Sequence, residues 1–251
     1  MRFTGRAYEF GRALASAAPA PIRRRVLSMK RFSAQTTIFH LPDHGLVYVK
    51  TPKVATGSVV AALTSFAAGE HAVDEQRAIE QVAAATARYQ RGAFAPEIRR
   101  LAKTAFTFSF VRNPLDRLLS AYTHQKRLRQ VESKTIFVQH GIAFDATFPE
   151  FVESIAELPD DSCNVHVRSQ HKFVCDADGP LVEYMGRFER LEDDWSVLQS
   201  RFGLPGLPIR HASDHRPYTE SYTPALARLA ADRYRRDIEL FGYAEDVSRL
   251  L

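Results

Sequence analysis

Only two cysteines, Cys163 and Cys175, occur in the 251 residues. They stand too far apart for a Cys-x-x-Cys metal or redox pair and are too few for a disulfide framework, so a reducing compartment, or indifference to redox, is the reading. No apolar run approaches the roughly 18 to 20 residues that cross a bilayer. A soluble, cytoplasmic chain is therefore expected. Internal repeats and a second domain are also missing, and 45% hydrophobic with 25% charged residues excludes widespread disorder. Negative charge is in the minority: 34 Lys and Arg against 29 Asp and Glu give +5, with a pI near 9.3. That balance suits a protein handling nucleotides, acidic glycans, nucleic acid or a lipid surface, and the sign alone does not choose among them.

Acidic residues are scarce over residues 1–32, where Arg2, Arg6, Arg12 and Arg23-Arg24-Arg25 flank an Ala-rich stretch broken by Pro19 and Pro21. Glu9 and Arg12 interrupt the apolar core a secretory signal needs, although the composition is compatible with a transit peptide. The segment reads as a basic helix and linker ahead of a domain over 33–251. Peripheral contact with a membrane surface or a partner is its second reading.

Within the domain, Thr37–Leu41 and Leu46–Val49 flank the turn signal Pro42-Asp43-His44-Gly45 and predict a hairpin. Helices are predicted from Ser58 to about Ala68 and from Val73 to about Arg91. In Thr104–Val111, Phe106, Phe108 and Phe110 share one face and Ala105, Thr107, Ser109 and Val111 the other, the pattern of a central strand covered on both sides. Asn113-Pro114 then supplies an N-cap and an N1 proline for a helix to about Arg129. Lys134–Phe144 reads as loop, Phe148–Leu158 as helix, Leu181–Gly186 as strand, and Leu191–Phe202 and Thr223–Phe241 as helices. The alternation predicts an α/β single domain whose central, mostly parallel sheet is flanked by helices.

Chemistry concentrates in two places. Leu46–Lys50 empties through Thr51-Pro52-Lys53-Val54-Ala55-Thr56-Gly57-Ser58 into a helix, leaving backbone N–H groups, two hydroxyls and a lysine together, which suits a phosphate. The order G-x-x-x-x-G-K-[ST] is absent, because Lys53 precedes the glycine, and no carboxylate is obviously placed for Mg²⁺. This disfavours an ATPase or GTPase and leaves Lys53 as a mobile cation acting without a metal. Phe110-Val111-Arg112-Asn113-Pro114-Leu115-Asp116-Arg117-Leu118-Leu119-Ser120-Ala121-Tyr122 repeats the design, with Arg112 where the strand ends and Ser120 on the following helix. Singly, each stretch also reads as an ordinary capped turn, a surface salt bridge or a helix filler. Two anion sites at neighbouring strand ends fit one ligand with two phosphate groups. A metal-dependent nucleotide kinase and a non-catalytic binder of nucleic acid or anionic lipid are the competing readings; the aromatics fall mostly at core periods, which argues against nucleic acid.

Together these stretches resemble the carbohydrate sulfotransferases called sulfotransferase family 2, of chondroitin, dermatan and HNK-1 type, related to the uronosyl 2-O-sulfotransferases. Further matching stretches are His166-Val167-Arg168-Ser169-Gln170, with Val167 in the place of a family tryptophan, Tyr184–Asp194, and the tail from Tyr218 to Tyr243. The likeness covers roughly residues 37–243. It implies a P-loop-NTPase-like sulfotransferase fold, 3′-phosphoadenosine-5′-phosphosulfate (PAPS) as co-substrate, a carbohydrate acceptor and no required metal. Pro52, Lys53, Val54, Ala55, Thr56, Gly57 and Ser58 match the loop that binds the 5′-phosphosulfate, and Arg112 and Ser120 match the 3′-phosphate ligands. Ser213 and Arg216 fall in a loop comparable to one that closes over the nucleotide in the 2-O-sulfotransferases, and the same loop also reads as a solvated turn. Animal members of the secretory pathway carry an anchor and extra cysteines that this chain lacks, so the expectation is a soluble, bacterial-type member.

Transfer of a sulfuryl group calls for a cation on the departing phosphate, the role that falls to Lys53, and a base for the acceptor hydroxyl. His166 is the first candidate base because it lies in a family-like element; His71, between the two phosphate loops, and His124, one turn beyond Ser120, are the reserves. Glu189 reads as either functional or structural, pairing with Arg187, Arg190 or a backbone amide.

Overall fold

A computed structural model describes residues 35–70, 78–127, 136–208 and 217–251. The basic segment 1–32, the candidate base His71 and the cofactor candidates Ser213 and Arg216 lie outside the described residues.

β1 (Thr36–Leu41) and β2 (Leu46–Lys50) form the expected antiparallel hairpin. Gly45 makes its turn at φ 59°, a left-handed conformation glycine adopts without steric cost, and its N–H donates to the Pro42 carbonyl at 3.2 Å. Next come α1 (Thr56–Ala67), α2 (Ala78–Tyr89), β3 (Gln90–Ala93), α3 (Ala95–Leu101), β4 (Phe106–Val111) and α4 (Pro114–Arg127). The chain continues through α5 (Ile136–His140), α6 (Phe148–Ala156), the single turn α7 (His171–Val174), a small ribbon of β5 (Cys175–Asp176) and β6 (Gly179–Pro180), and β7 (Tyr184–Arg187). It closes with α8 (Leu191–Phe202), α9 (Pro224–Arg233), α10 (Arg235–Phe241) and α11 (Ala244–Ser248).

The main sheet has the order β3-β1-β2-β4-β7. Its half β2-β4-β7 is parallel, whereas β1 pairs antiparallel with both β2 and β3. Four of the five strands therefore share one direction, as expected of a mostly parallel sheet, and the mixture comes from the hairpin, which reverses β1 alone; the polar Gln90–Ala93, which shows no apolar alternation, pairs antiparallel with β1 at the edge. Helices cover both faces. Phe106, Phe108 and Phe110 point with Tyr48 into a core of Val59, Leu63, Trp195 and Leu198, from α1 and α8. Val47, Val49 and Val111 face the opposite core of Leu115, Leu118, Phe151, Leu226 and Ile238, from α4, α6, α9 and α10. All six residues of β4 are buried, as its two-sided apolar pattern requires.

The helix expected over Thr223–Phe241 is two helices. Tyr234 breaks it at φ −110°, ψ 21°, with its ring buried and its hydroxyl donating to the Val167 carbonyl at 2.7 Å. A short helix, Ile136–His140, replaces part of the expected loop 134–144. No helix among the described residues is long and apolar enough to cross a membrane.

Candidate active site

β2 and β4 are parallel neighbours, so the loop after β2 and the start of α4 emerge side by side at their C-terminal ends, the edge where open α/β sheets bind ligands. Between Lys50 and α1 the backbone turns through Lys53 at φ 70° and Ala55 at φ 60°. Neither is glycine, and left-handed positions in non-glycine residues cost energy that the surrounding structure must offset. Alternation of this kind curls successive N–H groups toward one point, a concavity suited to an anion. Ala55, the cap residue of α1, offers no side-chain acceptor to the helix's first-turn N–H groups. Thr56 closes the loop, its hydroxyl donating to the Thr51 carbonyl at 2.6 Å, while the Tyr48 hydroxyl approaches Thr56 Oγ1 at 3.5 Å. Val54 is buried in the core, Pro52 and Thr56 are half-buried, Gly57 is exposed and Ser58 is buried in the first turn of α1.

Arg112 follows β4 directly. Its backbone is clamped by Gln170, whose Oε1 accepts the Arg112 N–H at 2.9 Å and whose Nε2 donates to the Arg112 carbonyl at 2.8 Å. Buried Gln170 is itself held by its N–H donating to Asp237 Oδ2 at 2.6 Å. The Arg112 guanidinium lies 3.9 Å over the Phe188 ring, donates from Nε to Asp116 Oδ2 at 2.7 Å and reaches the Lys53 carbonyl at 3.3 Å. It is 3% exposed, so its fork is fixed in place before any ligand arrives. Asn113 caps α4, with Oδ1 accepting the Leu115 N–H at 3.0 Å. Glu189 makes one of the expected pairings, to a backbone amide: its Oε1 accepts the Asn113 N–H at 2.6 Å, and its Oε2 accepts the Tyr243 hydroxyl at 2.9 Å. Ser120 is buried on α4, one turn beyond Asp116 and one before His124.

Arg117, on the same helix, was not singled out by the sequence. At 1% exposure it makes no ion pair within the described residues and donates to three carbonyls: Pro52 at 2.8 Å, Arg168 at 2.9 Å and Val165 at 3.3 Å. It thereby ties the loop after β2 to the turn that carries His166. Three basic groups meet as a result. Burial, then Arg112, Arg117 and Arg127, lower the Lys53 ammonium to a pKa of about 8. Burial, then Lys53, Arg117 and His124, lower His166 to about 4. The ring centroids of His124 and His166 are 6.3 Å apart, and His166 Nδ1 lies 2.8 Å from Asn164 Oδ1. The charges that lower Lys53, on Arg112, Arg117 and Arg127, are all positive, so the site favours anions. Asp116, the acid within it, is paired with Arg112.

Two comparisons with known proteins bear on this arrangement. Residues 36–244 match the family described as the sulfotransferase family. The chain is 26% identical to carbohydrate sulfotransferase 14 of Danio rerio over 174 residues, 59% of this chain and 46% of the relative. It is 30% identical to the protein of the same name from Homo sapiens over 169 residues, 59% of this chain and 44% of the relative. The chain thus spans less than half the length of these curated relatives. No solved structure gives a significant match. Since the family pattern runs from the first strand of the sheet to the last helices and includes both cationic loops, the chain belongs to the sulfotransferase family.

Proposed function

We propose that the chain transfers a sulfuryl group from PAPS to a hydroxyl of a carbohydrate and releases adenosine 3′,5′-bisphosphate. The observation that carries this reading is the cluster of half-buried Lys53 with buried Arg112 and Arg117, which gathers beside the C-terminal ends of the parallel strands β2 and β4. Asp116 pairs with Arg112, whereas Lys53 and Arg117 make no ion pair among the described residues, and a donor with two phosphate groups supplies the negative charge that the cluster lacks. The curated relatives named carbohydrate sulfotransferase support a carbohydrate acceptor.

In this mechanism the N–H groups at the start of α1 and the Ser58 hydroxyl hold the 5′-phosphate. Lys53 stands by the oxygen that gains charge as the sulfur–oxygen bond breaks, the electrostatic role worth about 3 to 4 kcal/mol in comparable sites. The fork of Arg112, with Ser120, takes the 3′-phosphate and so selects PAPS over nucleotides lacking it. His166 accepts the acceptor's proton; its neutral ring is already in the protonation state a base requires. Bound donor adds negative charge near the ring and raises its basicity during turnover.

The test is transfer of ³⁵S from labelled PAPS to a panel of acidic and neutral glycans, glycolipids and small alcohols, in EDTA. Labelled glycan together with adenosine 3′,5′-bisphosphate is expected. Labelling of no hydroxyl, with phosphate transfer from MgATP in its place, overturns the proposal.

A further inference from the structure

A neutral histidine serves as a base through only one of its ring nitrogens, and the hydrogen bond made by the other decides which. The turn holding His166 fixes that choice. The backbone N–H of His166 donates to the Asn164 side chain at 2.9 Å. A backbone N–H only donates, so the atom facing it is the amide oxygen, Oδ1. At the other end of the same amide, Nδ2 donates to Gln139 Oε1 at 2.6 Å, as that orientation requires. Oδ1 is also the atom 2.8 Å from His166 Nδ1. An amide oxygen only accepts, so Nδ1 carries the hydrogen and Nε2 keeps its lone pair. Asn164 is itself anchored, its backbone N–H donating to His140 Nε2 at 2.9 Å. Burial, and then the basic groups Lys53, Arg117 and His124, keep the ring neutral.

We propose that Asn164 is a positioning residue that locks His166 as the Nδ1–H tautomer and thereby presents Nε2 to the acceptor hydroxyl. This rests on the sulfuryl-transfer reading above. As the acceptor oxygen bonds to sulfur, its O–H bond breaks and the proton passes to Nε2. The sulfur–oxygen bond to the 5′-phosphate breaks with its electron pair on the phosphate oxygen beside Lys53. His166 is left as an imidazolium that still donates through Nδ1 to Asn164. An asparagine orients the ring without adding negative charge to a site that must hold an anionic donor, which an aspartate would repel.

The tautomer is read directly by long-range ¹H–¹⁵N spectra of the histidine rings in the intact protein, with His166 assigned from the His166→Gln spectrum. The expected wild-type pattern is protonated Nδ1 and bare Nε2. In Asn164→Ala the Nε2–H form gains population. With the glycan that the wild type sulfates, kcat falls about tenfold, the typical scale for one hydrogen-bonded support, while KM for PAPS and the affinity for adenosine 3′,5′-bisphosphate stay unchanged. Asn164→Asp keeps the tautomer and moves the pH midpoint of kcat upward, because a carboxylate favours the imidazolium. An unchanged tautomer in Asn164→Ala, or loss of donor affinity and thermal stability alike in both variants, overturns the proposal. Failure of the sulfotransferase reading is seen separately, as absence of label transfer by the wild type, and leaves the tautomer result standing.

Discussion

Lys53 is held charged at a cost the protein recovers only when an anion binds. Burial and the neighbouring arginines lower its pKa from 10.5 to about 8. That difference corresponds to about 3 kcal/mol of stability forgone near neutral pH, at 1.36 kcal/mol for each pH unit. The sign follows from proton binding: between the folded value and 10.5 the unfolded chain holds more protons than the folded one, so this group's contribution to stability rises with pH across that window and is least favourable below it. Lys53→Met, which keeps the length of the side chain and removes its charge, is therefore expected to stabilise the protein by about 2 to 3 kcal/mol near pH 7, as urea denaturation measures. Turnover should be lost in the same variant. Proton linkage gives a second reading of the same quantity. If bound adenosine 3′,5′-bisphosphate restores Lys53 to its ordinary pKa, binding near pH 8 takes up about half a proton, and about one-tenth near pH 7. Calorimetry in buffers of different ionisation enthalpy counts these protons. Uptake that stays near zero at both pH values, with Lys53→Met no more stable than the wild type, would refute the electrostatic account of this lysine.

Two further perturbations test the supports of the site. Arg117→Met leaves the carbonyls of Pro52, Val165 and Arg168 without their donor and is expected to cost about 3 to 5 kcal/mol in urea denaturation, weakening nucleotide binding and base placement together. A loss under about 1 kcal/mol contradicts the bridging role. Gly186→Ala places a Cβ 2.4 Å from the Phe110 ring, which is fully buried beside Trp195; a loss of about 1 to 3 kcal/mol and a lower Tm are expected, whereas an unchanged Tm shows that the ring gives way.

What the sequence exposes is whatever has a local cause. The alternation of Phe106, Phe108 and Phe110 marks β4, Asn113-Pro114 marks the start of α4, and Pro42–Gly45 marks the hairpin, because each depends on neighbours in the chain. Both cationic loops are legible for the same reason. The antiparallel edge at Gln90–Ala93 is hidden, since its strand character comes from pairing with β1 and not from its own polar residues. Arg117 falls on a helix as one basic residue among several, and its carbonyl partners lie 48 to 65 residues away. The turn at Asn164–His166 has no periodicity, so the hydrogen bonds that fix the ring become visible only in three dimensions. The helix break at Tyr234 likewise follows from a hydroxyl finding the distant Val167 carbonyl.

The most direct test of the central claim is calorimetry of adenosine 3′,5′-bisphosphate in EDTA with the wild type and Arg112→Ala, beside adenosine 5′-phosphate, which lacks the 3′ group. The account predicts metal-independent binding of the bisphosphate, weakened at least about tenfold by Arg112→Ala, whereas the weaker binding of the monophosphate changes little. Equal affinity of the two proteins for the bisphosphate, or binding of ATP that requires a metal in its place, contradicts it.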